Sequence, residues 1–311
     1  MLNSHVARCG RQRAAMRSAV ILTVALSTLA GFAAPAKGAT RTSPFTDPWI
    51  DGTHGAEPEL QVQQYDADTY ILRQSVRTNV EAPFLFLFFG TQKVLLVDTG
   101  AGGLKIRPAI DKLISQWVRT KGLTSIQLVI AHSHAHGDHI AGDGEFTDRP
   151  DTQIVGHSPG QVAAFFNIHS WPEDPAALDL GGRVLDIIPS PGHEPAEISV
   201  YDRQTHLLLM GDELYPGRLY IPADEFATYK KTIDRITDFT RGRPVAWILG
   251  NHIEMTLTPG RDYALHALTH PSEHPLQLPY ARLLELQSAI HKMGERPRLE
   301  IHPDFIIYPL P

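Results

Sequence analysis

Cysteine is all but missing from this chain. The single thiol, Cys9, precedes an apolar run near the N-terminus, so no disulfide can close within the chain and no thiolate ligand is available further along. Basic clusters are scarce too. Beyond residue 36 the longest basic run is the pair Lys230-Lys231, and acids outnumber Lys and Arg by 34 to 28. That balance argues against general nucleic-acid binding, which depends on clustered Lys and Arg to neutralise phosphates. Ser18–Ala36 is an uncharged, largely apolar run rich in Ala, Leu and Val, and no fixed-period repeat or low-complexity tract is visible.

That one run has the grammar of a secretory signal. Arg8, Arg11, Arg13 and Arg17 precede it without any acid, and Ala34-Pro35-Ala36 offers a small-x-small cleavage site. The competing reading is an uncleaved anchor, since the run is near the lower limit for spanning a bilayer. Gly31, Pro35 and the many small residues weaken a stable span. We therefore expect a signal peptide over 1–36, a flexible lead-in over 37–57 and one main domain over 58–311, placed in the periplasm or secreted, with no membrane partner after cleavage. Cleavage would remove four arginines and no acid, taking the formal charge from −6 to −10.

The rest of the chain alternates strand and helix patterns. Gln61–Tyr65 and Tyr70–Val76 read as strands around Asp66-Ala67-Asp68, and Phe84–Phe89 and Val94–Val97 as a hairpin. Phe84-Leu85-Phe86-Leu87-Phe88-Phe89 is apolar on both faces, which predicts a central, fully buried strand. Ile106, Ile110, Leu113, Ile114 and Trp117 recur at helical spacing before Gly122. Ile126–Ile130, Gln153–Gly156, Val184–Ile188, Ile198–Tyr201, Leu207–Met210 and Val245–Leu249 read as further strands. Pro159–Phe166 and Asp224–Phe239 read as helices. The tail carries a helix over Ala281–Lys292 and a late strand over Phe305–Tyr308, expected to cover the same domain.

The chemistry concentrates in Ala131-His132-Ser133-His134-Ala135-His136-Gly137-Asp138-His139, directly after an apolar strand. Neutral imidazole and carboxylate suit zinc and its first-row neighbours, and a cluster this dense would repel itself on protonation. Only the register starting at His134 gives His-x-His-x-Asp-His. His134 and His136 alternate by two, so an extended loop turns both rings one way. Asp138 and His139 would aim at a neighbouring point, which suits two adjacent metals.

With this motif the chain resembles the metallo-β-lactamase-fold hydrolases. Four further motifs stand in that family's order: Val97-Asp98-Thr99-Gly100, Ser190-Pro191-Gly192-His193, Leu209-Met210-Gly211-Asp212 and Ile248-Leu249-Gly250-Asn251-His252. The resemblance implies an α/β fold, an αββα sandwich of two mixed β-sheets flanked by helices, with the ligand loops along one sheet edge. It implies that His134, His136 and His193 hold one metal, that Asp138, His139 and His252 hold a second, and that Asp212 bridges them. Asp98 would orient the ligand loop rather than bind metal. His252, flanked by Asn251 and Ile253, is the least marked of these motifs. Zinc is the default metal, with iron, manganese or cobalt equally suited by the donors.

The implied activity is hydrolysis of a small-molecule substrate by a hydroxide shared between two divalent metals, with Asp138 also accepting a proton. A bridging Asp at 212 weakens a β-lactamase reading, because β-lactamases of this fold use Cys or Ser around that stage. Tyr215, three residues on, stands where lactonases of the fold place a tyrosine against the substrate carbonyl. Thioesterases of the glyoxalase II kind share all seven ligands but carry a basic C-terminal glutathione site, whereas the tail here mixes Arg282, Lys292, Arg296 and Arg298 with Glu285, Glu295 and Glu300. Nuclease members carry a basic domain or arm that this chain lacks. A small uncharged ester, lactone or related carbonyl compound is therefore the expected substrate, with β-lactam or thioester hydrolysis as the alternative. Outside catalysis, a metal-buffering protein would enlist His54, His157, His169, His206, His270 and His274, but their scattered spacing speaks against it. An oxygen-reducing di-iron enzyme would need a flavodoxin domain, for which the chain is too short. The sequence specifies no oligomeric state.

Overall fold

Fifteen strands and five helices follow one another from Leu60 to Leu310 among the described residues, which in this computed structural model are 43–311 apart from Thr46. The signal-like segment 1–36 lies outside them. The first half contains β1 (Leu60–Asp66), β2 (Thr69–Gln74), β3 (Phe84–Phe89), β4 (Lys93–Val97), α1 (Arg107–Lys121), β5 (Gln127–Ala131), α2 (Gly137–Ile140) and β6 (Thr152–Ile154). The second contains α3 (Pro159–Phe166), β7 (Ala176–Asp179), β8 (Val184–Pro189), β9 (Ile198–Asp202), β10 (Leu207–Leu209), β11 (Arg218–Pro222), α4 (Phe226–Thr240), β12 (Trp247–Leu249), β13 (Gln277–Leu278), α5 (Ala281–Met293), β14 (Glu300–Ile301) and β15 (Ile306–Leu310).

The strands form two six-stranded mixed sheets, in the orders β1-β2-β3-β4-β5-β6 and β13-β12-β10-β9-β8-β7. In the first, β1 to β4 run antiparallel and β4, β5 and β6 run parallel. Parallel pairing needs a crossover, and α1 supplies it between β4 and β5. A third, three-stranded sheet joins β11, β15 and β14, with β11 and β15 parallel.

The layers follow from side-chain alternation. Phe84, Phe86 and Phe88 face the core between the two large sheets, with Val97, Val129, Ile187, Val200 and Leu209. Leu85, Leu87 and Phe89, the alternate residues of the same strand, face a second core with Ile110, Ile114 and Trp117 of α1. The far face of the second sheet buries Ile188, Tyr201 and Leu208 against Phe226, Ile233 and Ile236 of α4 and Leu283, Leu286 and Ile290 of α5. Three cores between four layers make the αββα sandwich, and they explain why β3 had to be apolar on both faces.

One buried ion pair ties the sheets together. Arg183, beside β8, pairs with Asp202 of β9 at 2.5 Å, and it also donates to the Asp68 and Phe89 carbonyls and the Thr69 hydroxyl of the first sheet. The lead-in is irregular over its described part, but it is anchored rather than loose. Ile50 is buried and Trp49 packs edge-on against Phe84 at 4.9 Å. The tail belongs to the same body: α5 covers the second sheet, and β15 completes the small one.

Candidate metal centre

Each ligand-bearing loop leaves the end of a buried strand. The loop after β5 carries His134 and His136 and leads into α2, which carries Asp138 and His139; the loop after β8 carries His193; the loop after β10 carries Asp212; and the loop after β12 carries His252. Two glycines let these loops close up. A Cβ on Gly192 would lie 2.8 Å from the Tyr229 Cα, and Gly211 has a φ of +49° with Glu197 Oε1 only 2.4 Å from where its Cβ would stand.

The seven predicted donors meet in one place. His136 Nδ1 lies 3.0 Å from His134 Nε2 and 3.1 Å from His193 Nε2. Beside them His139 Nε2 and His252 Nε2 lie 3.1 and 3.3 Å from Asp138 Oδ2. Asp212 stands between the groups, with Oδ2 3.7 Å from His193 Nε2 and Oδ1 3.5 Å from His252 Nε2. The trios His134–His136–His193, His134–His139–Asp212 and Asp138–His139–His252 each bring ligand atoms close enough to share one ion. His132 is not in this group; it pairs with Asp143 at 2.8 Å, and Asp143 also meets His157.

The far side of each ring determines what its near side offers. His193 Nδ1 donates to the Tyr220 carbonyl at 2.7 Å and His252 Nδ1 to the Glu81 carbonyl at 2.8 Å. A carbonyl only accepts, so these rings carry a proton on Nδ1, and Nε2 is the nitrogen that faces the centre. His139 Nδ1 meets Asp98 Oδ2 at 3.1 Å. Asp98 also receives the Ser133 N–H and hydroxyl at 2.7 and 2.9 Å, which fixes the loop just before His134. Such outer partners orient ligands and tune affinity.

Electrostatics point the same way. Burial, with neighbouring His139, His193 and His136, holds His134 well below the usual imidazole range, so it stays neutral. Burial also lowers His136, with His193 reinforcing it. At His139 burial is outweighed by Asp98 and Asp138, which hold it well above that range, and at His252 by Asp212 and Asp138, which push it up to about 9. One half of the centre thus repels protons while the other draws positive charge. Asp212 Oδ1 is buried without a hydrogen-bond partner. Converging lone pairs, an orphaned carboxylate oxygen and an all His/Asp donor set fit divalent cations.

Three further residues support the centre without any mark in the sequence pattern. The Asn251 amide reaches Asp98, Ser133 and His139 at 2.5, 2.8 and 2.9 Å. Glu197 and Glu213, both fully buried, accept the Asp212 N–H at 3.0 Å and the His193 N–H at 3.2 Å. Burial pushes the Glu213 carboxyl up to about 8, with Asp212 adding to the rise. No periodicity marks such residues.

Tyr215 stands at the cleft with its hydroxyl turned inward. It lines the cleft over the centre and its ring lies 5.6 Å from that of His252. Its hydroxyl, however, donates to the Arg218 carbonyl inside the protein, with Glu254 Oε2 at 3.3 Å. The phenol is therefore already committed to internal partners. The cleft itself has a volume of about 670 Å³ and reaches His136, Asp138, His193, Asp212 and His252.

A mixed two-sheet sandwich carrying this donor set at its strand ends defines a metallo-hydrolase class. The Metallo-beta-lactamase superfamily profile matches residues 80–244. The chain belongs to that superfamily and is a hydrolase of it. Its members generally bind two divalent metals. His252 lies beyond the matched span, and its place in the centre rests on geometry. The probable metallo-hydrolase YqgX of Bacillus subtilis is 26% identical over 155 residues, 44% of this chain and 68% of that protein. The acyl-coenzyme A thioesterase MBLAC2 of Bos taurus is 28% identical over 201 residues, 54% of this chain and 72% of that protein. A solved metallo-beta-lactamase from Pontibacter korlensis shares the fold, with a TM-score of 0.50 at 18% identity over 75% of this chain and 99% of its own. No helix among the described residues is long and apolar enough to cross a membrane.

Proposed function

We propose that this protein is a dinuclear metal-dependent hydrolase of small carbonyl substrates (esters, lactones or thioesters) acting in the periplasm or outside the cell. The observation that carries the reading is the bridged seven-donor centre on the floor of an open cleft. His134, His136 and His193 would hold one cation, Asp138, His139 and His252 the other, and Asp212 both. Zinc is the first choice, and iron, manganese or cobalt suit the same donors. When bound, such a pair supplies Lewis acidity for the carbonyl and acidifies a water towards neutrality.

The chain's own residues supply the rest. Asp138, partly exposed to the cleft, would take the proton of the attacking water. The carbonyls of Tyr220 and Glu81 keep two imidazoles in the ligating tautomer. A thioester is favoured as the second substrate type by the relative named as an acyl-coenzyme A thioesterase. The test is turnover by metal-loaded protein of a panel of simple esters, acyl-homoserine lactones, thioesters and cephalosporins. Carbonyl esters, lactones or thioesters should be hydrolysed faster than β-lactams; best activity on β-lactams would overturn the reading.

A further inference from the structure

We infer that the cleft selects neutral or cationic carbonyl substrates over anionic ones and that the Glu81 carboxylate sets this preference; the inference rests on the hydrolase reading above. No Lys or Arg is among the described residues that line the cleft. Apart from the metal donors, its charged side chains are Glu81 and Glu254. Glu254 is already satisfied: its carboxylate accepts the Arg218 N–H at 2.7 Å and meets the Arg218 guanidinium at 3.2 Å. Glu81 is not. Its side chain is exposed, with no hydrogen bond or ion pair to the carboxylate among the described residues.

The backbone holds Glu81 in place. Asn79 Oδ1 accepts the Glu81 N–H at 3.0 Å, Asn79 Nδ2 donates to the Ala101 carbonyl at 3.0 Å, and the Glu81 carbonyl is engaged by His252. The next residue, Ala82, is buried with a φ of 42°, a left-handed conformation that is costly for a residue with a Cβ. This turn therefore fixes the Glu81 backbone at the rim of the metal cleft, and the carboxylate extends from that fixed point without a partner among the described residues. A free Glu on an ordinary surface would need no explanation; one held by a strained, three-point-braced turn beside the centre has a specific position to act from.

A second observation extends the argument. A side cavity of about 210 Å³ shares Glu81, Tyr220 and Glu254 with the cleft and is lined further by Tyr263. It contains one guanidinium, Arg218, but Glu254 and Asp262 (2.7 Å) flank it and the Tyr263 carbonyl takes one of its N–H groups. A substituent entering from the cleft, away from the metal donors, passes the unpaired Glu81 carboxylate and the acids around Arg218, with His266 and His270 on the cavity wall. An ammonium is attracted by those acids. A carboxylate or phosphate is repelled.

The experiment uses metal-loaded wild type, Glu81→Gln and Glu81→Lys. The substrates are aryl esters with one acyl group and a remote trimethylammonium, tert-butyl or carboxylate substituent. Intrinsic reactivity cancels when the ratio of kcat/KM between two esters is compared across variants. The cation-over-anion ratio should fall by about tenfold in Glu81→Lys, less in Glu81→Gln, mostly through KM, and the difference should shrink in about 0.5 M salt. Metal content measured in each variant guards against disturbance of His252. Calorimetric titration with benzyltrimethylammonium should show weaker binding to Glu81→Lys. An unchanged ratio at full metal content, or a wild-type preference for the carboxylate ester, would overturn the inference. If no ester is turned over, the hydrolase reading fails, and the ammonium titration alone decides the charge preference.

Discussion

Asp98 grips Ser133 twice, taking its backbone N–H on one carboxylate oxygen and its hydroxyl on the other, at 2.7 and 2.9 Å. This clamp sits on the residue immediately before the first ligand, His134. Asp98 also meets the ring of His139, so one buried carboxylate orients donors in both halves of the centre. Asp98→Ala should weaken metal binding by about ten- to a hundredfold while the protein still folds. Competition with a metallochromic chelator measures this directly, and wild-type affinity in the variant would remove Asp98 from the centre.

The donor set predicts close to two divalent ions per chain after purification without chelator. His134→Ala and Asp138→Ala should each lower hydrolysis by at least about a hundredfold. His132→Ala should be milder, since His132 faces Asp143 and not the cluster. Metal analysis with rates on one ester separates the cases, and full loss in His132→Ala would mean that the ligand register is displaced.

Stripping the metals should lower thermal stability, because ions that bind only the folded state stabilise it in proportion to the logarithm of their concentration over Kd. Here the effect should be large, since buried imidazoles and carboxylates are left facing one another. Melting curves with and without chelator test this. Coincident curves would show that the centre holds no tightly bound ion.

Tyr215→Phe should cost about 0.5–1.5 kcal/mol of stability, the net worth of one hydrogen bond, because its hydroxyl donates to the Arg218 carbonyl. Its effect on kcat should stay within about threefold. A loss of about a hundredfold or more would instead show the phenol turning to the substrate as an oxyanion donor.

Arg183→Met leaves Asp202 buried beside no cation and should destabilise by about 3–5 kcal/mol at neutral pH. Burial alone would raise the Asp202 pKa, but Arg183 and Thr205 outweigh it and hold it below the usual carboxylate range. In wild type that stabilisation is present above the ordinary carboxylate pKa and is lost as pH falls through the folded value. In the variant, acid protonates an unpaired buried carboxylate and relieves its cost. The gap in Tm should therefore narrow towards pH 4, and a gap that widens would contradict the assignment.

What the sequence made legible was whatever repeats or clusters. The two-faced apolar strand Phe84–Phe89 and the helix Pro159–Phe166 have the predicted bounds, because apolar period and turn residues mark them. The histidine cluster stood out by density alone. Strand β11, Arg218–Pro222, was passed over: its five residues hold no alternation, and its partner β15 lies over eighty residues away. Asn251, Glu197 and Glu213 were invisible for a related reason. A buried polar residue is explained by its partners, and those come from other loops. Tyr215 was legible as a position but not as a bond, since spacing cannot say where a hydroxyl points.

The pairing of β11 with β15 has a consequence for how the centre is framed. The Tyr220 carbonyl that orients His193 belongs to β11, and Tyr220 is in register with Tyr308 of β15. All seven donors lie between His134 and His252, yet the strand that steadies one of them pairs with a strand that comes later in the sequence. A shortened chain ending before Ile306 would carry all seven donors without the strand that pairs with β11 behind His193.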